Sequence, residues 1–218
     1  RAWIGPGDHP YAPALRFLRG HVEDVEITAL IPPMGASPMA CILEDLIACE
    51  VEIVFLLCAA WSLGPPVEMG DLILPTFAIG FDGTSIHYGN TDQYTTAHAS
   101  AIEALSDACR QIGARHHQGG VSSCEALYRI TSERAAEARV RGALCMDNGE
   151  AGTLFSVTRS LGILGGVLFQ PYIYLQQGWD PEYLASSRYR KTCELQAEVA
   201  LRAIAHLGTS GTLQHPDP

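Results

Sequence analysis

The chain has 218 residues, 47% of them hydrophobic, with a formal net charge of −10 at neutral pH. That length and apolar fraction build one globular domain with a sizeable core. The acidic balance, with Lys191 the only Lys, argues against nucleic-acid partners and against binding to an anionic membrane.

The seven Cys (41, 49, 58, 109, 124, 145 and 193) form no C-x-x-C pair. Neither a disulfide framework nor a zinc site is expected, and they read as small buried hydrophobes in a reducing cytoplasm. No apolar run reaches membrane-spanning length and no signal peptide is visible, so a cytoplasmic location is expected. The chain starts at Arg1 rather than Met, in what reads as a strand, so a further N-terminal segment is expected.

Taken in order, Trp3-Ile4 reads as a short strand running into the turn Gly5-Pro6-Gly7-Asp8. Val25 to Ile31 is a strand. Ser37 is a candidate N-cap, with Pro38 at the first helical position, for a helix to Cys49. Val51 to Leu57 and Leu72 to Phe77 are apolar strands of the kind covered on both faces. Thr95 to Ile112 has helical spacing, with Gly113 ending it. His116 to Val121 is a strand, and His116-His117 reads as a surface turn pair. Glu133 to Val140 is an amphipathic helix and Ala143 to Met146 a short strand. A helix runs from Gly149-Glu150 to about Leu161, closed by Gly162, before the strand Ile163 to Phe169. Tyr172, Tyr174 and Trp179 form an aromatic loop, Ser187 to Leu207 is the last helix, and 209–218 is a polar tail. Strands alternating with helices indicate an α/β fold, with a mixed sheet and helices on both faces.

Several polar groups fall at strand ends, where ligands of α/β proteins bind. Asp82-Gly83-Thr84-Ser85, followed by His87 and Tyr88, packs a carboxylate and two hydroxyls into one turn. Glu150 sits in the first turn of a helix, where the dipole stabilises a carboxylate able to accept two hydrogen bonds from a vicinal diol. An ordinary helix-start Glu looks the same. The loop Gly35-Ala36-Ser37-Pro38 is an anion cradle or a plain turn. Ser122-Ser123-Cys124-Glu125, with Tyr128 and Arg129 beyond, is a strand-end loop or a helix cap.

Together these pieces resemble the nucleoside phosphorylase superfamily, within it the uridine phosphorylase-like branch. The matching segments are Pro6-Gly7-Asp8, Met34 to Pro38, Leu43-Glu44-Asp45-Leu46, Val67 to Asp71, Asp82 to Tyr88, Gly120 to Ser123 and Met146 to Phe155. The resemblance implies a three-layer α/β/α fold around a mixed, partly closed sheet. It also implies a homodimer or a hexamer built from dimers, with active sites near the interfaces. The ribose-binding Glu of the family falls on Glu150. The first Glu of that motif falls on Asn148 and its sugar-packing Met on Gly149, which predicts a hole. The phosphate-binding Arg-Gly-Thr run of the third strand falls on Leu56, Cys58 and Ala59, and Trp61 replaces a small Gly. The Arg after Gly-Asp-Pro is absent, leaving Arg16 and Arg19 as candidate replacements. Gln170 takes the place of a base-contacting Asp or Arg.

A phosphate dianion needs charge-assisted donors, and an apolar surface would strip its water without compensation. The expected enzyme therefore keeps the scaffold and part of the sugar pocket but performs phosphate-independent chemistry on a nucleoside-like or larger apolar substrate: hydrolysis, isomerisation or cyclisation. The alternatives are a nucleoside-cleaving phosphorylase or nucleosidase, and a non-catalytic ligand-binding protein. Candidate catalytic groups are Glu150, Gln170 and His87. Candidate substrate contacts are Gly35, Trp61, Asp82, Ser85, Tyr88, Ser122, Glu125, Tyr128, Met146, Gly149 and Tyr172. No cofactor or metal is expected, and the partner is a small molecule.

Overall fold

A computed structural model of the chain describes residues 17–178 and 180–209. The expected strand at Trp3-Ile4, the Pro6-Gly7-Asp8 turn, Arg16, Trp179 and nearly all of the tail lie outside the described residues.

A hairpin of β1 (Phe17–Val22) and β2 (Val25–Leu30) forms a two-stranded antiparallel sheet of its own. α1 (Ala36–Ala48) leads to β3 (Ile53–Ser62) and β4 (Leu72–Phe81). After the 3-10 turn Ser85–Tyr88 come β5 (Tyr94–Thr96), α2 (Ala99–Gln111) and β6 (His116–Cys124). Then follow α3 (Ser132–Val140), β7 (Ala143–Asp147), α4 (Glu150–Leu161) and β8 (Leu164–Tyr174). α5 (Pro181–Ala185) and α6 (Ser187–Thr209) end the described chain.

The main sheet has the order β5-β4-β6-β7-β3-β8, and β8 also pairs with β4 through Ile73 and Phe169. Five strands thus close on themselves, with β5 added at the outside of β4. β3 runs parallel to β8, and β4, β6 and β7 are mutually parallel. β7 meets β3 antiparallel only at Trp61 and Ser62. The fold is the mixed, mostly closed α/β sheet with flanking helices that the sequence implies.

Alternation along the strands sorts the core. Leu56 and Ala60 of β3 and Val167 and Phe169 of β8 pack with α1 and α4 residues such as Leu43 and Phe155. Ile53, Phe55, Leu164 and Leu168 face the other way, into a cluster with α2 and α6. β3 is therefore covered on both faces, as its continuous apolar run predicts.

Several boundaries differ from the sequence expectations. α1 is capped by Gly35 rather than Ser37. Thr95 and Thr96 do not start α2; they pair with Ala78 and Phe77 at the edge of β4, where β-branched residues suit a pleated strand better than a helix. Tyr172 and Tyr174 lie within β8, not in a loop after it. His116 and His117 open β6, and His117 Nε2 is 2.7 Å from Asp71 Oδ2. Only Cys109, Cys124 and Cys145 are fully buried; Cys41, Cys49 and Cys193 are exposed. α1 buries Met39, Ala40, Ile42 and Leu43 and turns Cys41 outward.

Phe155 is fully buried at the centre of the larger cluster. Phe155→Ala is expected to lower the urea-unfolding free energy by about 3–5 kcal/mol; a loss below about 1 kcal/mol would mean that α4 is not packed as described.

Candidate functional site

The C-terminal ends of β4, β6 and β7 and the N-termini of α1 and α4 meet in one polar cluster. Gly149 separates β7 from α4 with φ 97° and ψ −7°, a left-handed bend that favours Gly. That bend turns the chain sharply enough to place two carboxylates at the start of α4. Glu150, only 5% exposed, accepts at Oε1 from the Gly35 N–H (2.9 Å) and at Oε2 from the Asn148 N–H (2.9 Å). Asp147 accepts from the N–H groups of Gly149 (3.3 Å) and Ala151 (2.6 Å), and the Ser123 hydroxyl also bonds it.

Asp82 has a different task. Its Oδ1 takes the N–H groups of Thr84 (3.1 Å) and Ser85 (2.6 Å) and the Thr153 hydroxyl (3.3 Å). Its Oδ2 takes the Ser85 hydroxyl (3.0 Å), which also receives the Asn90 amide (3.3 Å). Asp82 and Ser85 therefore knit the 82–90 turn onto α4. Glu125 Oε2 receives the Gly83 N–H at 3.0 Å from the neighbouring loop.

Burial first, and the charge of Glu150 second, push the Asp147 carboxyl up from the ordinary 3.8 to about 7. Burial, then Glu150 and Asp147, push the Cys58 thiol up to about 12, so it stays protonated at neutral pH. Cys145 is raised well above the usual thiol value for the same leading reason. These thiols are poor nucleophiles where they stand. Among the described residues, no group of three or more His, Cys, Asp or Glu side chains is placed to hold a metal ion.

The hole expected at Gly149 does not exist. A Cβ built there would lie 2.9 Å from Glu125 Cγ, 3.0 Å from Ala36 Cβ and 3.2 Å from Asp82 Cβ. The space of the family's Met is already filled by side chains from three elements.

The remaining candidates are scattered. Trp61 donates its indole N–H to the Tyr172 hydroxyl, next to the register shift after Ala60. Gln170 points toward α6, where its Nε2 donates to Cys193 Sγ (3.0 Å) and Gln196 Oε1 (2.9 Å). Neighbouring Phe169 faces α4, so Gln170 and Glu150 are not a facing pair. Met146 is 2% exposed and packs with Leu63 and Ile79 as core. Ser122 lies inside β6 rather than in a loop and its hydroxyl is buried without a partner. The Tyr88 hydroxyl donates to Glu44 at 3.1 Å. His87 and Tyr128 are solvent-exposed, outside the cluster. Arg19 lies on β1 of the separate hairpin.

The residues that sequence reasoning did not single out are Asp147 and Gln196. Asp147 sat inside a quoted motif, and a strand-end Asp just ahead of a helix start is a capping signal. Gln196 falls on the stripe Thr192, Gln196, Val199, Ala203, a helical spacing that marks the buried face of α6.

The model of the phosphorylase superfamily matches residues 6–169. The chain belongs to this superfamily. It is 27% identical over 109 residues to a uridine phosphorylase of Thermococcus kodakarensis, half of this chain and 39% of that one. A guanosine phosphorylase of Halorubrum lacusprofundi is 24% identical over 154 residues, 70% of this chain and 63% of its own. A uridine phosphorylase of Salmonella typhimurium is 23% identical over 110 residues, 50% and 44%. The chain thus spans less than two thirds of these relatives, and at such identities it is a divergent, nucleoside phosphorylase-like member.

Two outcomes check the site. Gly149→Ala is expected to cost about 1–3 kcal/mol from the positive φ and the tight Cβ contacts, and Gly149→Met more; a neutral Gly149→Met in urea denaturation would restore the hole. Asp147 binds its proton more tightly in the folded than in the unfolded chain, so it contributes stability below its unfolded value near 3.8 that is lost as pH rises to about 7. Unfolding free energies measured from pH 4 to 8 should fall more steeply for the natural chain than for Asp147→Asn, and equal slopes would refute the raised carboxyl.

Proposed function

We propose that this protein is a superfamily enzyme that performs phosphate-independent chemistry, with hydrolysis of an N-glycosidic bond as the simplest case, on a nucleoside-like substrate or a larger apolar relative of one. The observation that carries the reading is the charge of the strand-end cluster. Among the described residues, the hydrogen-bond donors to Asp82, Glu125, Asp147 and Glu150 are neutral, backbone N–H groups and hydroxyls. A phosphate dianion set among them would meet like charge at short range, and burial together with the charge of Glu150 already pushes the Asp147 carboxyl up. Leu56, where the family places a phosphate Arg, is packed into the core at 9% exposure.

In this reading Glu150 is the substrate anchor. Each carboxylate oxygen carries two lone pairs and spends one on a backbone N–H, so one per oxygen remains for a sugar diol. Asp147, behind it, holds the start of α4 and sets the charge that Glu150 presents. For hydrolysis, water adds to the anomeric carbon as the C–N bond breaks. The base leaves with the bonding pair and takes a proton, and the attacking water gives one up. Association as a homodimer or hexamer belongs to the same proposal, on the family resemblance.

Phosphorolysis is the second reading, favoured by family membership and by the uridine and guanosine phosphorylases among the relatives. Incubation with uridine, inosine and methylthioadenosine, with and without phosphate, separates the two. Free base released equally in both conditions supports hydrolysis, whereas release only with phosphate overturns it. No release by either route, with ligand binding intact, leaves a binding protein. Where turnover is found, Glu150→Gln should reduce kcat/KM by roughly 100-fold or more; an unchanged value would remove Glu150 from the site.

A further inference from the structure

A second cleft lies away from the strand ends. It opens where α2 meets β4 and β6, has a volume of about 440 Å³ and shares no residue with the cluster around Glu150. Cavities of this size take up small molecules. Ala97, Ala99 and Ile102 supply its apolar surface. Its polar wall is ordered by one buried hydroxyl. Ser106 Oγ meets His116 Nε2 (3.1 Å), Arg110 Nη1 (2.9 Å) and Gln118 Nε2 (3.1 Å). His116 Nδ1 lies 3.1 Å from the Ala114 carbonyl, which can only accept, so this nitrogen carries a hydrogen. In the neutral ring Nε2 is then an acceptor and takes the Ser106 proton. The remaining lone pairs of Ser106 call for donors. Gln118 therefore presents its NH2 to Ser106 and keeps Oε1 as the free end of the amide. Thr76 likewise gives its hydroxyl hydrogen to the Gly119 carbonyl (3.3 Å), which leaves its oxygen as an acceptor.

The charges lean the same way. Arg110 is already paired with Asp107 on α2. Glu103, also in the wall of the cleft, has no hydrogen-bond or ion-pair partner among the described residues. We propose that this cleft is a second binding site, for a small primary ammonium carrying an aliphatic body. An ammonium brings a positive charge and hydrogen-bond donors and no acceptor. That matches a carboxylate with its charge unspent at Glu103 and two neutral acceptors at Gln118 and Thr76. An alcohol of the same shape would meet the same apolar surface without the ion pair. A carboxylate would meet Glu103 as like charge.

The probes are hexylammonium, hexanol and hexanoate, which share one body and differ only in the head group. Chemical-shift titration of the backbone and side-chain amides should place hexylammonium at the start of α2 and at the Gln118 NH2. Its affinity should exceed that of hexanol by about tenfold or more, and hexanoate should not perturb these signals. Equal binding of amine and alcohol, tighter binding of hexanoate, or no binding by any probe overturns the proposal. A chain of net charge −10 draws any cation toward it, and two variants separate that field from a site. Glu103→Gln should weaken hexylammonium by about tenfold and leave hexanol unchanged. Glu198→Gln removes the same charge on α6, outside the cleft, and should weaken it by less than about twofold. Equal losses in the two variants mean a general field and sink the site. Glu103→Lys should reverse the preference, taking hexanoate over hexylammonium. Glu103 and Glu198 are both exposed, so these variants are expected to fold, and circular dichroism checks that they do.

Discussion

Glu150 holds its carboxylate between the Gly35 N–H that begins α1 and the Asn148 N–H that precedes α4. Both helix starts would otherwise leave unpaired donors in a region with little water. One negative charge satisfies them and aligns two positive helix ends on the same point. The rest follows from that junction. α4 must approach β6 closely, which Gly152 permits, since a Cβ there would come within 3.2 Å of Ser123 Cβ. The 82–90 turn then seats on α4 through Asp82 and Thr153. The strand ends, the turn and both helices form a single construction around one side chain.

Packing carboxylates this closely has an electrostatic price. Asp147 and Glu150 share a buried region, and each makes the charge of the other costlier. Main-chain N–H groups offset part of this, which is why Asp147 still accepts from Gly149 and Ala151. The third strand adds no charge here: Leu56 is packed in the core, and the Cys58 thiol is pushed up by burial and stays neutral.

Much of the architecture was legible in the sequence because it depends on local chemistry. The helix opened by Gly149-Glu150 and its stop at Gly162 are turn and cap signals, and both hold. The apolar run of β3 declared its burial on both faces. The side-chain roles were less legible because they depend on partners far apart in sequence. The hold of Asp82 on α4 depends on Thr153, 71 residues on. Gly149 looks like a vacancy until Ala36, Asp82 and Glu125 are seen to fill it. Gln170 reads as a site residue by position, yet its direction is set by α6, 26 residues later. Helix boundaries failed where sheet pairing overrode propensity, as at Thr95 and Thr96.

Closure of the main sheet also bears on how the chain behaves at high concentration. Open strand edges are templates on which another chain can add, and they are a common route to aggregates. The β4–β8 pairing removes two of them, and among the described residues the outer margin of this sheet is β5, three residues long. The β1–β2 hairpin is different: among the described residues each of its six-residue strands pairs on one side alone, and neither joins the closed ring. Among the described residues the hairpin therefore offers the longer strand edges to another chain, and the β4–β8 closure shortens those of the ring.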